Sequence, residues 1–192
     1  MTDAFPMPLA AIETALQRFD RQVLLHSLQA GLPAEVVRSS LGAAGLTSSA
    51  GLESLYGWRN GTSTAGGVAL DDIHIVPGFY LLSIQDAIAN CRAFATDSRW
   101  TPGWLPLFAN GGGDFYVLDL SSPSGSPVRH FRIEEPEHPI EFGSLRALLT
   151  TLAEAFERGV FFVDPNGYLE MDDVVFGELA TELNPDVGWW RD

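Results

Sequence analysis

The chain has 192 residues, 46% hydrophobic and 19% charged, which suits one domain with a substantial core and argues against disorder. No run approaches the roughly 20 apolar residues of a membrane helix, and the acidic N-terminal stretch lacks a signal-peptide pattern. One cysteine, Cys91, permits no internal disulfide, so a cytoplasmic setting is expected, and a net charge of −14 repels nucleic acid and anionic membranes alike.

In chain order, Ile12, Leu16, Phe19, Val23 and Leu28 make a helical stripe over residues 10–30 that stops at Gly31. Pro33 suits a first helical turn, and Val36, Val37 and Leu41 predict a second short helix. Residues 51–61, "GLESLYGWRNG", form a third, with Ser48 or Ser49 as its cap and Asn60-Gly61 as its end. Residues 61–67 are loop. An apolar strand follows Pro77-Gly78, and Ser83 with Asp86 makes a capping box for a helix bearing Ile84, Ala87, Ile88 and Cys91. The apolar runs 105–109 and 115–120 are joined by "NGGGD", a hairpin signal. "SSPSGSP" is a second turn, followed by a strand over residues 128–135. Ser144 caps a helix with Leu145, Leu148, Leu149, Leu152 and Phe156 on one face, closed by Gly159. A hairpin turning at Asp164-Pro165-Asn166-Gly167 precedes a last helix that ends before Pro185. Helices, then a meander interrupted by one helix, then helices argue an α+β domain.

Catalysis finds no owner in this pattern. All 11 cations are arginine, so Schiff-base chemistry and the lysines of phosphate loops and kinases are absent. "NGGGD" precedes a strand, whereas a phosphate loop precedes a helix whose N-terminus faces the anion. "GTSTA" approaches the nucleophile-elbow pattern through Ser63, but it follows a helix within a loop. His26, His74, His130 and His138 are scattered; Asp71, Asp72 and His74 read as solvated side chains rather than a metal site. "DPNGYLEMD" has its glycine too early for a calcium loop, and Cys91 reads as a buried inert thiol. The expectation is no catalytic residue, no metal and no cofactor.

Binding has better candidates. Tyr56, Trp58, Trp100, Trp104 and Tyr116 suit either a core rim or an interface. From residue 134 onward, 14 acids face 3 arginines, whereas the first 133 residues hold 11 acids and 8 arginines. Excess acid also keeps a protein soluble. The partner-binding candidates are Trp58, Asn60, Trp100, Trp104, Asp114, Glu134, Glu135 and Glu137.

The ordered set Leu55, Tyr56, Trp58, Asn60, Gly61; Pro77, Gly78, Phe79; Trp100, Pro102, Trp104, Leu105 to Phe108; Asn110, Gly113, Asp114; Ser144, Leu145, Gly159; and Asp164 with Gly167 resembles the SUKH superfamily, specifically its Smi/Knr-type members, described as cell-wall assembly regulators. The likeness spans residues 51–173. Thr62 stands where the family often has a second glycine, and residues 1–50 form an N-terminal helical extension to a domain over 51–192. The resemblance implies a mixed, mostly antiparallel sheet flanked by helices, and no enzymatic activity. It also implies that bacterial members are immunity proteins that bind and block a toxin, while fungal members are interaction hubs.

Charge and resemblance together predict a cytoplasmic immunity protein that meets a basic toxin domain, with no direct contact to nucleic acid or membrane. The rivals are a scaffold of cell-wall or signalling machinery, a small-molecule or glycan binder that stacks its ligand on tryptophans, and a hydrolase through Ser63.

Overall fold

A computed structural model describes residues 6–122 and 125–191. In chain order the elements are α1 (Pro6–Arg18), α2 (Gln22–Ser27), β1 (Leu28–Ala30), α3 (Ala34–Ala43), α4 (Ala50–Trp58), β2 (Arg59–Thr62), β3 (Tyr80–Leu81), α5 (Ile84–Phe94), β4 (Trp104–Ala109) and β5 (Phe115–Asp119). Then come β6 (Val128–Phe131), β7 (Ile140–Phe142), α6 (Leu145–Glu157), β8 (Phe161–Val163), β9 (Leu169–Met171) and α7 (Asp173–Leu183). Single 3-10 turns lie at Ala65–Gly67, Leu70–Ile73 and Gly188–Arg191. The class is α+β. Strands β3 to β7 make a five-stranded meander in sequence order, and β1-β2 and β8-β9 are separate ribbons. Every described strand pairing is antiparallel.

The "NGGGD" turn joins β4 to β5, with Ala109 opposite Phe115 and Trp104 opposite Asp119. Both strands are buried along their whole length. That explains why their sequence shows apolar runs rather than alternation: a strand covered on both faces has no solvent side to mark. Helix caps fall where side-chain chemistry puts them. Ser49, Ser83 and Ser144 each accept a backbone N–H of the first turn, and Asp172 accepts two. On α6 the stripe Leu145, Leu148, Leu149, Leu152 and Phe156 is buried as the periodicity requires. Helix α1 packs against α6, and its Leu9, Ile12 and Leu16 join the same apolar cluster as the central sheet.

Three expectations change. The single helix over 10–30 is two helices and a strand. Asp20 sits in the left-handed region at φ 53°, and the stripe resumes out of phase, with Leu24 buried and Val23 45% exposed. Arg21 fixes the break by donating to the carbonyls of His74 and Asp71, tying α2 to the loop before β3. The end assigned to Asn60-Gly61 lies two residues earlier: residues 59–62 are strand, paired with β1. Gly61 has φ 81°, and a Cβ there would meet the Ser83 nitrogen at 2.2 Å, so no other residue fits. The strand at 128 stops at Phe131, and residues 132–139 leave the sheet as a loop before β7. The "SSPSGSP" turn is described only in part, since Pro123 and Ser124 lie outside the described residues.

An acidic cleft edged by tryptophan

The loop that leaves β6 carries Glu134, Glu135 and Glu137, all exposed. Glu135 and Glu137 line a cleft of about 390 Å³ together with Arg132, His138, Pro139 and Trp189. Trp189, on the 3-10 turn after α7, is 41% exposed, so part of its indole is open to contact at the cleft edge. Among the described residues no ion pair holds Glu134, Glu135 or Glu137. The nearby cation, Arg132, is turned inward onto Glu141 (3.2 Å) and lies over the Trp189 ring at 5.1 Å. Glu135 and Glu137 therefore stand without an ion-pair partner in the cleft that Trp189 edges, with Glu134 exposed on the same loop.

This loop is held on several sides. The Asp114 carboxylate accepts the Ile133 N–H at 2.8 Å, and Arg99 donates to the Ile133 carbonyl. Arg99 is itself gripped by Asp97 at 2.8 Å, and the hydrogen bonds from Arg99 hold the Asp97 carboxyl down at about 2. His138 Nδ1 accepts the Arg132 N–H at 3.3 Å, while its ring lies 4.3 Å from Phe131 and 5.9 Å from Trp104, centroid to centroid. Burial lowers the His138 pKa, and the positive charge of Arg99 lowers it further, so the ring stays neutral and able to accept. The turn bearing Trp189 is equally fixed. Trp190 donates to the Glu141 carbonyl and packs between Phe142 and Phe176, each at 5.8 Å, and Thr181 Oγ1 donates to the Trp190 carbonyl at 2.6 Å.

Beneath the cleft lies a polar network on β5, β6 and β7. Glu141, 2% exposed, takes His130 Nδ1 at 3.1 Å and Arg132, and Tyr116 stacks on His130 at 4.7 Å. Histidine beside a carboxylate is a pairing also found in hydrolases, but here the third member is a phenol. Burial and the Glu141 charge push the Tyr116 pKa well up, the opposite of nucleophile activation. The geometry serves as a latch joining three strands under the loop.

The remaining predicted residues are placed as follows. Trp58 Nε1 donates to Glu13 at 2.6 Å, and Arg59 pairs with the same carboxylate, clamping α1 to the end of α4. Asn60 is buried; its Oδ1 accepts the Ile84 N–H at 3.0 Å and its Nδ2 donates to Gln85 at 3.2 Å, so it fastens the start of α5. Trp100 and Trp104 are 8% and 6% exposed and pack edge-to-face at 5.8 Å, with Phe131 against both. Both are therefore core residues over most of their surface, and what remains accessible of them lines a small cavity rather than an open platform. Asp114 sits beneath the acidic loop and shapes it. Trp189, which aromatic spacing did not single out, completes the cleft. Its only sequence signal was an apolar pair, Trp189-Trp190, inside an acidic terminus.

Ser63 Oγ accepts the Ala65 N–H and bonds to no described histidine or acid. Beside Asp71 and His74 stands the Arg21 guanidinium, whose charge opposes a cation there, and His74 Nδ1 is 3.8 Å from the nearer Asp71 oxygen. No protein-family model matches the chain, and no curated protein matches it. Fold and site define an α+β domain of packed helices and antiparallel sheets that carries a preformed acidic cleft. Among its described residues no helix is long and apolar enough to cross a membrane.

Proposed function

We propose that this chain is a non-catalytic binding domain that neutralises a basic protein partner, as the immunity protein of a toxin would, acting in a cytoplasmic setting. The observation that carries the reading is the exposed Trp189 on a fixed base, flanked by the unpaired carboxylates of Glu135 and Glu137. An indole anchored at a cleft supplies apolar contact area at little entropic cost, and the surrounding charge steers a cationic groove into register. Because the loop is tied down before the partner arrives, little ordering opposes binding. A toxin that cleaves nucleic acid presents such a basic surface, and the SUKH likeness points the same way.

The test is recovery of the partner from the native host by affinity capture, followed by co-expression. The expected outcome is growth arrest by the partner alone and rescue by the wild-type chain. Trp189→Ala, which leaves the core untouched, should bind at least about 2 kcal/mol more weakly and rescue poorly. Full rescue and unchanged affinity in Trp189→Ala would remove this cleft as the interface.

A further inference from the structure

A separate cavity of about 230 Å³ opens between the end of α3, one side of α5 and the turn leading into β4. Its walls include Leu46, Ile88, Cys91, Trp100 and Trp104, and among the described residues its only charged lining residue is Arg92. Among the described residues no carboxylate lines it, although the chain holds 25 acids. Arg92 is exposed and, among the described residues, makes no ion pair with an acid. Other arginines are committed: Arg38, Arg59, Arg99, Arg129, Arg132 and Arg158 each grip a carboxylate. An apolar pocket with a lone, unspent guanidinium at its edge matches a ligand with an apolar body and one negative end.

Size narrows the class. A cavity of roughly 150 Å³ lined by aliphatic side chains takes a benzene ring, so the present volume admits one ring, or a branched aliphatic body, with a short acidic arm. The wall is chemically quiet. The Cys91 thiol donates to the Trp104 carbonyl at 3.2 Å, and burial pushes its pKa up to about 11, so it offers no thiolate for covalent capture.

We propose that this cavity binds a small aromatic or branched-aliphatic monocarboxylate, with its apolar body between Ile88 and Trp100 and its carboxylate on Arg92. The site shares no lining residue with the acidic cleft and stands independently of the protein-binding reading.

The probe is phenylacetate, titrated calorimetrically and by amide and indole NMR shifts, with benzyl alcohol and phenethylamine as neutral and cationic counterparts. Phenylacetate is expected to shift the indole N–H signals of Trp100 and Trp104 and the amides of residues 88–95. Benzyl alcohol should bind about tenfold more weakly and phenethylamine not measurably. Arg92→Gln, at an exposed helical position, should weaken phenylacetate about tenfold with the melting temperature unchanged. Ala44→Phe, which fills the cavity from a half-exposed position, should abolish the shifts. Shifts confined to another face, equal affinity for the alcohol, or an unaltered affinity in Arg92→Gln each overturn the proposal. So does binding of a peptide ending in phenylalanine where phenylacetate fails.

Discussion

Removing the Asp114 side chain should loosen the acidic loop from beneath. Its carboxylate accepts two hydrogen bonds at 2.8 Å, one from the Ile133 backbone and one from Asn110 Nδ2. Hydrogen bonds to a charged group contribute about 1.5–3 kcal/mol each when shielded, and the one to Asn110 is partly offset by water. Asp114→Ala also leaves the half-buried Ile133 N–H without its acceptor. The expected loss is about 2–3 kcal/mol, corresponding to a melting temperature about 6–8 °C lower for a domain of this size. Asp114→Asn retains an acceptor oxygen for Ile133 and should lose about half as much. Urea denaturation gives the energy, and hydrogen exchange gives the location: the amides of Ile133, Glu134, Glu135, Glu137 and His138 should exchange faster while those of α6 are unchanged. A loss below about 0.5 kcal/mol with unaltered exchange in the loop would refute the claim that this carboxylate preorganises it.

Other consequences can be checked separately. Leu16→Ala, at a fully buried position on α1, should cost about 2–5 kcal/mol, because α1 shares the core with α6; a loss under 1 kcal/mol would detach that helix from the fold's energetics. Gly61→Ala should prevent stable folding or lower stability by more than about 2 kcal/mol, since it adds a left-handed strain to a direct overlap with Ser83; circular dichroism with a denaturant series reads it. Burial lowers the pKa of both His74 and His138, so the fold favours their neutral forms. Their contribution to stability is complete above the unfolded histidine value of 6.5 and is lost as pH falls from there through the lowered folded values. The urea midpoint should therefore drop between pH 7.5 and 5.5, and His138→Asn should flatten part of that slope; a midpoint constant over this range contradicts the assignment.

Much of the fold could be read from the residues because the deciding interactions are local. A serine ahead of an apolar stripe defines each of α4, α5 and α6, and "NGGGD" turns β4 into β5 through glycines 111 and 113, both at positive φ. What escaped the sequence is decided at long range. The break at Asp20 carries no glycine or proline; it is set by Arg21 reaching carbonyls about fifty residues away. Strand β7 has three residues, too few for any periodicity, and exists because β6 offers it an edge. The site divides the same way. A run of acids predicts exposed carboxylates, and Glu134, Glu135 and Glu137 are exposed. The aromatic candidates do not separate so easily: Trp104 and Trp189 are the same residue type, and it is long-range covering, by Trp100, Phe131, His138 and Arg129, that buries one while the other is exposed.

The most direct test of the account is the association rate with the captured partner, measured by stopped flow from about 0.05 to 0.5 M salt. We compare the wild-type chain, the Glu134→Gln/Glu135→Gln/Glu137→Gln triple variant and Trp189→Ala. The wild-type rate should fall at least about tenfold across this range, the triple variant should start lower with a shallower slope, and Trp189→Ala should act chiefly by speeding dissociation. A rate that ignores salt, with all three proteins alike, would contradict an acidic cleft as the surface that meets the partner.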